Sequence, residues 1–305
     1  MKGLFWISAF CILFGSACGN FDYSGKGKDI PTAGELELWV DHGDSLLFTQ
    51  LKDLFEANYP KSNIKLIYAS EIEILKAVND GNCRACVMHR NFDTLEKSAL
   101  ENRDFKVRSI KIGTTSTAFL VNIQNPVAEI SLQDLGKILS MENSPGGCFK
   151  QVIFDKAGGA NFRQVSDFFG KRNVKIKTGG IRSLPSPESV LRWLELNADA
   201  VGVVNLNLIA DRSDSSASRW LNNLRVLKVQ SHTDSSFAYP FQSQMAAGQY
   251  PFVSDIYFHD LQGYSGLASG FVAWIYSQPG QTIIKKSGLL PARDMGRTIE
   301  ISTEY

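Results

Sequence analysis

The sequence predicts an α/β protein built from two lobes. The chain has 305 residues, more than a single compact core needs. Segments with strand-like and helix-like patterns of apolar residues alternate along most of the chain, which is typical of parallel sheets covered by helices. No internal repeat of fixed period interrupts this order. These observations favour two packed α/β units over one core or a repeat array.

The first part of the chain repeats a strand followed by a helix. Leu36, Leu38 and Val40 alternate with polar residues and predict the first strand, and Leu47 and Leu51 begin a helical spacing after it. The predicted elements are a strand at 35–41, a helix at 47–59, a strand at 64–68, a helix at 72–78, a strand at 85–88, a helix at 93–102 and a long β-type segment at 110–122.

A second α/β region follows the turn at Asn125-Pro126. Its predicted elements are a helix at 132–139, a strand at 151–154, a glycine-rich turn at 157–160, a helix ending near 168, a helix at 189–197 and a strand at 200–205, and the segment 224–229 closes the region. Apolar patterning resumes from Tyr239, includes the segment 256–259 and predicts one final helix from Gly266 to about Lys286.

The charge distribution argues against a nucleic-acid-binding role. Lysine and arginine number 32 and aspartate and glutamate 31, so the formal net charge is +1. A protein that binds phosphate backbones needs a basic field or stripe. The densest basic cluster, Lys171, Arg172, Lys175 and Lys177, is interpreted as a solvated connector.

The amino terminus predicts export and lipidation. Lys2 precedes an apolar run from Leu4 to Phe14, which is typical of a signal peptide and too short to span a membrane. Small residues lead to Cys18, as in the box where a new amino-terminal cysteine receives lipid, although Gly15 stands where leucine is usual. A plain signal peptide with a bystander cysteine is the alternative. Residues 19–34 are polar and glycine-rich, as expected of a tether.

Cys83, Cys86 and His89 form a C-x-x-C-x-x-H run that invites a zinc interpretation. The segment is predicted to be a buried strand, in which residues three apart point to opposite faces. No second pair of ligands lies at a suitable spacing. We therefore expect neither a metal site nor any other cofactor.

Seven stretches carry a resemblance to a known family: Asp41 to Pro60, His89 to Phe92, Val121 to Ile138, Ala200 to Asn205, Tyr239 to Pro251, Ser265 to Phe271 and Gly288 to Pro291. In these the chain resembles the periplasmic phosphate-binding family of ABC-importer lipoproteins, over about Glu35 to Arg293. The resemblance implies a periplasmic-binding-protein clamshell of type II, with mixed sheets, helices on both faces and the second lobe inserted in the first.

The implied organisation is a signal peptide at 1–17, a lipidated Cys18 with its tether at 18–34, lobe I at 35–118 and 239–305, and lobe II at 119–238. In this family an anion is held between the lobes by hydroxyls, helix amino termini, an arginine and an acceptor aspartate, so the resemblance places ligand contacts on two loops of this chain. They are Gly43, Asp44, Ser45, Arg90, Asn91, Gly158, Gly159, Ala160, Asn161 and Arg163.

Several of these positions depart from the family pattern. The family serine of the first loop falls on Gly43, with Ser45 as a substitute donor, and the acceptor aspartate falls on Asn91. The Ser-Gly-Thr triplet falls on residues 159–161, whereas both arginines are kept, as Arg90 and Arg163. Gly158 and Gly159 could still form an amide nest for an anion. Alternatively they form only a tight turn, with both arginines solvated or paired with nearby aspartates.

The expected function is that of a monomeric, membrane-anchored periplasmic protein that binds a small anion or polar solute and delivers it to an ABC permease. The alternative is an accessory lipoprotein that keeps the fold but has lost phosphate binding, which the missing ligand residues favour. An enzyme is not expected, because no nucleophile–base pair can be named in the sequence.

Overall fold

The computed structural model describes residues 29–140, 149–177, 179, 181–210 and 215–293. Their strands are β1 (Gly34–Asp41), β2 (Ser62–Ala69), β3 (Ala85–Met88), β4 (Arg108–Asn122), β5 (Glu129–Ile130), β6 (Gln151–Phe154), β7 (Ile181–Ser183), β8 (Ala200–Asn205), β9 (Leu224–Val226), β10 (Lys228–Gln230), β11 (Phe237–Ala238), β12 (Val253–Asp260) and β13 (Leu290–Pro291). Their helices are α1 (Ser45–Asn58), α2 (Glu71–Asn79), α3 (Thr94–Glu101), α4 (Leu132–Leu139), α5 (Ala160–Gly170), α6 (Pro187–Leu196), α7 (Asn207–Ala210), α8 (Ser215–Asn223), α9 (Gln242–Ala246), α10 (Leu267–Tyr276) and α11 (Gln278–Lys286), and a single 3-10 turn, His42–Asp44, precedes α1.

One long strand, β4, joins two halves of a mixed sheet. The strand order among the described residues is β2-β1-β3-β12-β4-β8-β6-β7, with β9 and β13 also paired to β4. The first part of β4 pairs with β12, from Arg108 to Ser116, and the second part pairs with β8, from Thr117 to Leu120. We call the half that contains β1, β2, β3 and β12 lobe I, and the half that contains β6, β7 and β8 lobe II. The residue boundaries that the sequence analysis assigns to the lobes remain predictions.

Each half of the sheet is covered on both faces, because its strands are apolar on both sides. In lobe I, α1, α10 and α11 pack on one face around Phe55 and Phe271, whose ring centroids are 5.0 Å apart, and α2 and α3 cover the other face. In lobe II, α4 and α5 pack around Phe252, while α6 and α8 pack on the opposite face around Leu194 and Trp220. The mixed α/β architecture predicted from the sequence is therefore confirmed.

Local sequence signals set the starts of several helices. Ser70 and Glu73 form a reciprocal capping box at α2, and Asp93 and Glu96 form another at α3. The prediction of one final helix from Gly266 to Lys286 is wrong, because the chain breaks into α10 and α11 at Ser277. Pro279 in the first turn of α11 has no N–H to continue α10, so a new helix begins there.

Residues just before β1 contact lobe I. Asp29, which the sequence analysis assigns to the tether, accepts a hydrogen bond from the Leu267 backbone N–H at 2.7 Å and another from the Tyr264 hydroxyl at 2.6 Å. It therefore caps the amino terminus of α10 from a distant part of the sequence. Pro31 lies so close to Gly270 that a Cβ there would be only 1.8 Å from the Pro31 carbonyl oxygen. Of the described helices, none combines the length and apolarity required to cross a bilayer.

The contact between β8 and α6 predicts a large difference between two glycines. A Cβ on Gly202 would lie 2.5 Å from Leu194 Cδ1 and 2.9 Å from Val190 Cγ1, whereas a Cβ on Gly170 would have no neighbour within 4 Å. We expect Gly202→Ala to lower the free energy of unfolding by about 1–3 kcal/mol, since the core must shift to admit the methyl group. The measurement is urea-induced unfolding followed by circular dichroism.

Gly170→Ala is the matched control. It lies near the end of α5, and we expect it to be neutral or stabilising by up to about 1 kcal/mol, because alanine favours the helix. Equal destabilisation by the two substitutions would show that the β8–α6 contact is not as close as described.

Candidate functional site

The carboxyl ends of the parallel strands of lobe I and of lobe II face each other at the boundary between the lobes. Asp41 ends β1, His89 follows β3, Asp155 follows β6 and Asn205 ends β8. Ligand sites of open α/β sheets lie at such strand ends. Polar side chains from both lobes meet here; we call them the interlobe cluster. Its members are Asp41, Asp44, Glu71, His89, Asp155, Asn161, Arg163, Asn205 and Asn207, all fully or largely buried except Arg163.

Asp44 and His89 form the central ion pair of the cluster. His89 Nε2 lies 2.7 Å from Asp44 Oδ2, and both side chains are almost completely buried. The second oxygen of Asp44 accepts from the amides of Asn205 at 3.1 Å and Asn207 at 3.0 Å, both from lobe II. The Thr115 hydroxyl donates to Asn205 Oδ1 at 2.6 Å and fixes the orientation of that amide. Asp44 therefore joins lobe I to lobe II while its charge is matched by His89.

Asp41 contacts the amino terminus of α5 across the interlobe boundary. One carboxylate oxygen accepts from the Gly43 N–H at 3.0 Å, and the other accepts from the Ala160 N–H at 3.1 Å. The N-cap residue of α5 is Gly159, which has no side chain to serve this purpose. Helix amino termini carry unpaired N–H groups and a partial positive charge that attract anions. The protein supplies that anion itself, from the other lobe.

Glu71 of lobe I forms an ion pair with Arg163 of lobe II. The Arg163 guanidinium donates through Nε to one Glu71 oxygen, and Nη2 donates to the His89 carbonyl at 3.1 Å. Glu71 also accepts from the His89 backbone N–H at 2.7 Å. Its two oxygens thus have partners in both lobes. Arg163 is 28% exposed, so it closes the rim of the cluster.

On the lobe II side, Asp155 accepts from the Asn161 amide at 3.0 Å, and the Thr117 hydroxyl donates to Asn161 Oδ1 at 2.7 Å. Gly158 has φ of 74°, a conformation that glycine adopts without strain. A Cβ at this position would also lie 2.6 Å from Ile72 Cδ1 of lobe I. Glycine at 158 therefore allows both the turn before α5 and the close approach of the lobes.

Within the described residues, the interlobe cluster contains four carboxylates, Asp41, Asp44, Glu71 and Asp155, and two cationic side chains, His89 and Arg163. Burial raises the pKa of Asp41 to about 7, and neighbouring Glu71 and Asp155 raise it as well. Burial raises the pKa of Asp155 to about 6. Both shifts show that negative charge is unfavourable here, as expected when like charges share a dry site.

The pKa of His89 shifts in the direction that favours its charge. Burial alone would lower the pKa of His89, but Asp44 at 2.7 Å, together with Asp41 and Glu71, raises it to about 9. The imidazolium form therefore persists at neutral pH and satisfies Asp44. In the described part of the chain, no group of three or more histidine, cysteine, aspartate or glutamate side chains is arranged to hold a metal ion.

The structure brings some of the residues predicted from the resemblance together and separates others. Those that lie in or next to the cluster are Gly43, Asp44, Gly158, Gly159, Ala160, Asn161 and Arg163. Ser45 is the first residue of α1, and its carbonyl accepts from Thr49 Oγ1 at 2.8 Å. The Arg90 guanidinium binds both oxygens of Glu96 on α3, at 2.7 and 2.6 Å, and Asn91 is exposed.

Glu71, Asp155, Asn205 and Asn207 were not among the ligand contacts expected from the sequence, and Asp41 was named only as the first residue of a stretch that carries the family resemblance. One signal could have found Asp155 and Asn205. Each is a polar residue at the carboxyl end of a continuous apolar strand, β6 or β8, where the ends of parallel strands converge. Glu71 gives no such signal, because an acidic residue in the first turn of a helix is explained by the helix dipole alone.

Comparisons with known proteins agree with this architecture. A family model described as a PBP superfamily domain matches residues 41–279, and the chain belongs to that superfamily. No curated protein sequence matches the chain. The mixed α/β fold matches solved structures of type II periplasmic binding proteins, which confirms the predicted fold class.

A putative phosphate ABC transporter substrate-binding protein with bound phosphate from Clostridium perfringens is 14% identical, with a TM-score of 0.68 over 85% of this chain and 100% of its own. An ABC-type phosphate transport receptor from Vibrio cholerae is 13% identical, with a TM-score of 0.61 over 85% of this chain and 100% of its own. The CcmR regulatory domain of Synechocystis PCC6803, in complex with 2-PG, is 11% identical, with a TM-score of 0.53 over 79% of this chain and 95% of its own. At these identities the likeness establishes the fold.

The raised pKa of His89 predicts a pH dependence of stability. A histidine whose pKa is higher in the folded state than in the unfolded state contributes its full stabilisation of the fold below its unfolded pKa of 6.5. This contribution is lost as the pH rises to the folded pKa of about 9. We expect the free energy of unfolding to fall between pH 6.5 and pH 9 by an amount on the order of 3 kcal/mol. Urea unfolding at half-unit intervals of pH measures it.

His89→Gln keeps a donor for Asp44 and removes the titrating group. This variant should be less stable than the parent at pH 6.5 and should lose most of the slope up to pH 9. His232→Gln, at an exposed position, is the control and should keep the slope. A parent protein whose stability is constant across this range would show that the Asp44–His89 contact is not an ion pair.

Proposed function

We propose that this chain is a binding protein whose interlobe cluster accepts a small neutral or cationic polar solute and excludes phosphate. Membership of the PBP superfamily and the fold support solute binding between the lobes. The chemistry of the cluster supports the class of solute. Carboxylates, amide oxygens and hydroxyls can accept hydrogen bonds from the hydroxyl or ammonium groups of a ligand.

The single observation that carries this proposal is the position of the Asp41 carboxylate. It accepts from the Ala160 N–H at the start of α5, the kind of place where an anion would otherwise bind. A phosphate brought to this helix would meet Asp41, with Glu71 and Asp155 nearby, and like charges in a buried site repel strongly. The positive charge of the Arg163 guanidinium is already balanced by Glu71, so Arg163 would attract a bound anion only weakly.

Export and delivery complete the proposed function. We propose that Cys18, outside the described residues, carries a lipid anchor. We also propose that an ABC permease receives the solute. Both proposals rest on the sequence resemblance. If Cys18 is lipidated, cells grown with labelled palmitate should yield a labelled protein, and Cys18→Ala should remove the label. Label that persists in Cys18→Ala would contradict the anchor.

We propose binding rather than catalysis. Among the described residues a serine–histidine contact does occur, between Ser109 Oγ and His259 Nδ1 at 2.8 Å. His259 is completely buried, and burial lowers its pKa to about 4, which makes it a weak general base at neutral pH. Its second nitrogen contacts the Arg90 carbonyl at 3.1 Å. This arrangement fixes β4 against the Arg90 turn and gives a substrate no access.

A second candidate function is an accessory protein that keeps the fold without binding a solute. The direct contacts between the lobes favour it: Asp41 with Ala160, Asp44 with Asn205, and Glu71 with Arg163. A ligand drives closure because it contacts both lobes. Here protein groups make those contacts themselves, so closure has a source of stability that needs no ligand.

A panel of solutes distinguishes these possibilities. Phosphate, sulfate and molybdate at 1 mM should leave the melting temperature of the parent protein unchanged, whereas members of a set of sugars, polyols, amines and guanidines should raise it. Isothermal titration calorimetry then gives the affinity. A micromolar or tighter phosphate affinity would overturn the proposed exclusion, and no response to any solute would favour the accessory protein.

A charge-removing variant tests the cause of the exclusion. Asp41→Asn with Glu71→Gln removes two negative charges and frees Arg163, so phosphate affinity should rise at least tenfold. Glu35→Gln with Glu129→Gln removes two exposed carboxylates elsewhere and should leave phosphate affinity unchanged. If neither pair changes it, repulsion by Asp41 and Glu71 is not what excludes phosphate.

A further inference from the structure

A groove lies on lobe II between α4 and the carboxyl-terminal end of α5, well separated from the interlobe cluster. Its volume is about 600 Å3. The residues that line it are Leu132, Gln133, Gly136, Lys137, Ser140, Phe169, Arg172, Asn173, Val174, Lys175 and Lys177. We call it the α4–α5 groove. Because α5 begins at Ala160, which contacts Asp41 in the cluster, and has 11 residues, its far end lies about 16 Å away along the helix axis.

The end of α5 shapes this groove. Asn173 has φ of 60° and turns the chain back on itself, and the Val174 N–H donates to the Phe169 carbonyl at 3.1 Å. The returning segment is fastened to α4 by a hydrogen bond from the Lys177 N–H to the Leu139 carbonyl at 3.0 Å. The two helix ends are thus tied together, and the groove between them is part of the fold.

The floor of the groove is apolar. Phe169 is only 2% exposed, and Val174 and Leu132 are half-buried beside it. Gly136 contributes no side chain, and a Cβ there would be 3.3 Å from the Phe169 ring. The absence of that Cβ lets α4 pack closely on the ring, so the apolar surface that a ligand could reach is that of Val174 and Leu132. A floor of this kind favours an occupant with apolar side chains over a fully hydrated ion.

The rim of the groove is basic. Lys137, Arg172, Lys175 and Lys177 line it, and none of the lining residues is acidic. Lys137 has a partner, Asp134, at 3.4 Å, and the Arg172 guanidinium lies 3.7 Å from the centroid of the Phe168 ring. No ion pair within the described residues involves Lys175 or Lys177. Four cations at one end of a protein with net charge +1 form a local positive field.

We propose that the α4–α5 groove docks an acidic polypeptide segment that carries at least one apolar side chain. The charge of the rim requires a partner with several carboxylates, and the apolar floor requires a side chain that enters the groove. A concave site of about 600 Å3 suits a short chain segment better than it suits the flat surface of a bilayer. The basic cluster that the sequence suggested to be a solvated connector, Lys171 to Lys177, therefore supplies three of the four cations that line the groove.

The test uses the fluorescein-labelled hexapeptide Glu-Leu-Glu-Glu-Leu-Glu and fluorescence anisotropy at low ionic strength. The full chain should bind it, and the affinity should weaken as salt is added, because the rim cations are exposed. Lys175→Glu with Lys177→Glu should weaken binding at least tenfold. Lys61→Glu with Lys286→Glu makes the same change in net charge at exposed sites outside the groove and should leave binding nearly unchanged. Melting temperatures verify that each variant is folded.

Two further peptides separate the contributions of the rim and the floor. Gln-Leu-Gln-Gln-Leu-Gln and Glu-Ser-Glu-Glu-Ser-Glu should each bind at least tenfold more weakly than the first peptide. Equal binding of all three, or equal loss in both double variants, would overturn the proposal. So would binding of phosphatidylglycerol vesicles, dependent on Lys175 and Lys177, by a chain that does not bind the peptide.

Discussion

The contact between the Asp41 carboxylate and the amino terminus of α5 is the constraint on which the rest of the interlobe geometry depends. It joins the end of β1 in lobe I to the first N–H of a lobe II helix at 3.1 Å. Once this contact is made, Arg163 on the same helix reaches Glu71 and the His89 carbonyl of lobe I, while Asn161 contacts Asp155 and Thr117 on the lobe II side. An acceptor at this place is required in any case, because a buried helix terminus must have its N–H groups satisfied.

The same contact has a cost in charge. Three more carboxylates lie in the cluster, and burial without compensation would be unfavourable for all of them. The structure compensates them unequally: His89 pairs with Asp44 and Arg163 pairs with Glu71, whereas burial raises the pKa of Asp41 to about 7 and that of Asp155 to about 6. The Glu71–Arg163 pair spans both lobes, and Asp44, which pairs with His89 within lobe I, also accepts from two amides of lobe II. The electrostatics of the cluster and the closure of the lobes are therefore one property of the molecule.

Much of the fold could be predicted from the sequence, because its strands are continuous apolar runs bounded by turn residues. The strands β3, β6 and β8 lie where the pattern predicts them. One departure is the last helix. Apolar spacing predicts a single helix, but Pro279 cannot continue α10, so α11 begins there. The short strands β5 and β11 have two residues each, too few for any periodic signal.

The site was less accessible to sequence reasoning. Gly43, in the turn before α1, and Asn161, in the first turn of α5, could be placed from the resemblance. Of the partners of the two arginines, only a nearby aspartate could be predicted: Asp167 lies 3.3 Å from Arg163. Arg90 binds Glu96, which a local capping box brings close, while Arg163 binds Glu71, 92 residues away in the sequence. Only the three-dimensional closure of the lobes selects that second pairing.

The attachment of Asp29 to α10 also determines how far the folded body can move from its proposed anchor. Because Asp29 is fastened at Leu267 and Pro31 lies against Gly270, chain length can be counted only from Cys18 to Asp29, a separation of 11 residues. A fully extended chain of that length reaches about 40 Å. A lipidated Cys18 would therefore hold lobe I within about one molecular diameter of the membrane, on a short radius that restricts which partners in the bilayer the body can meet.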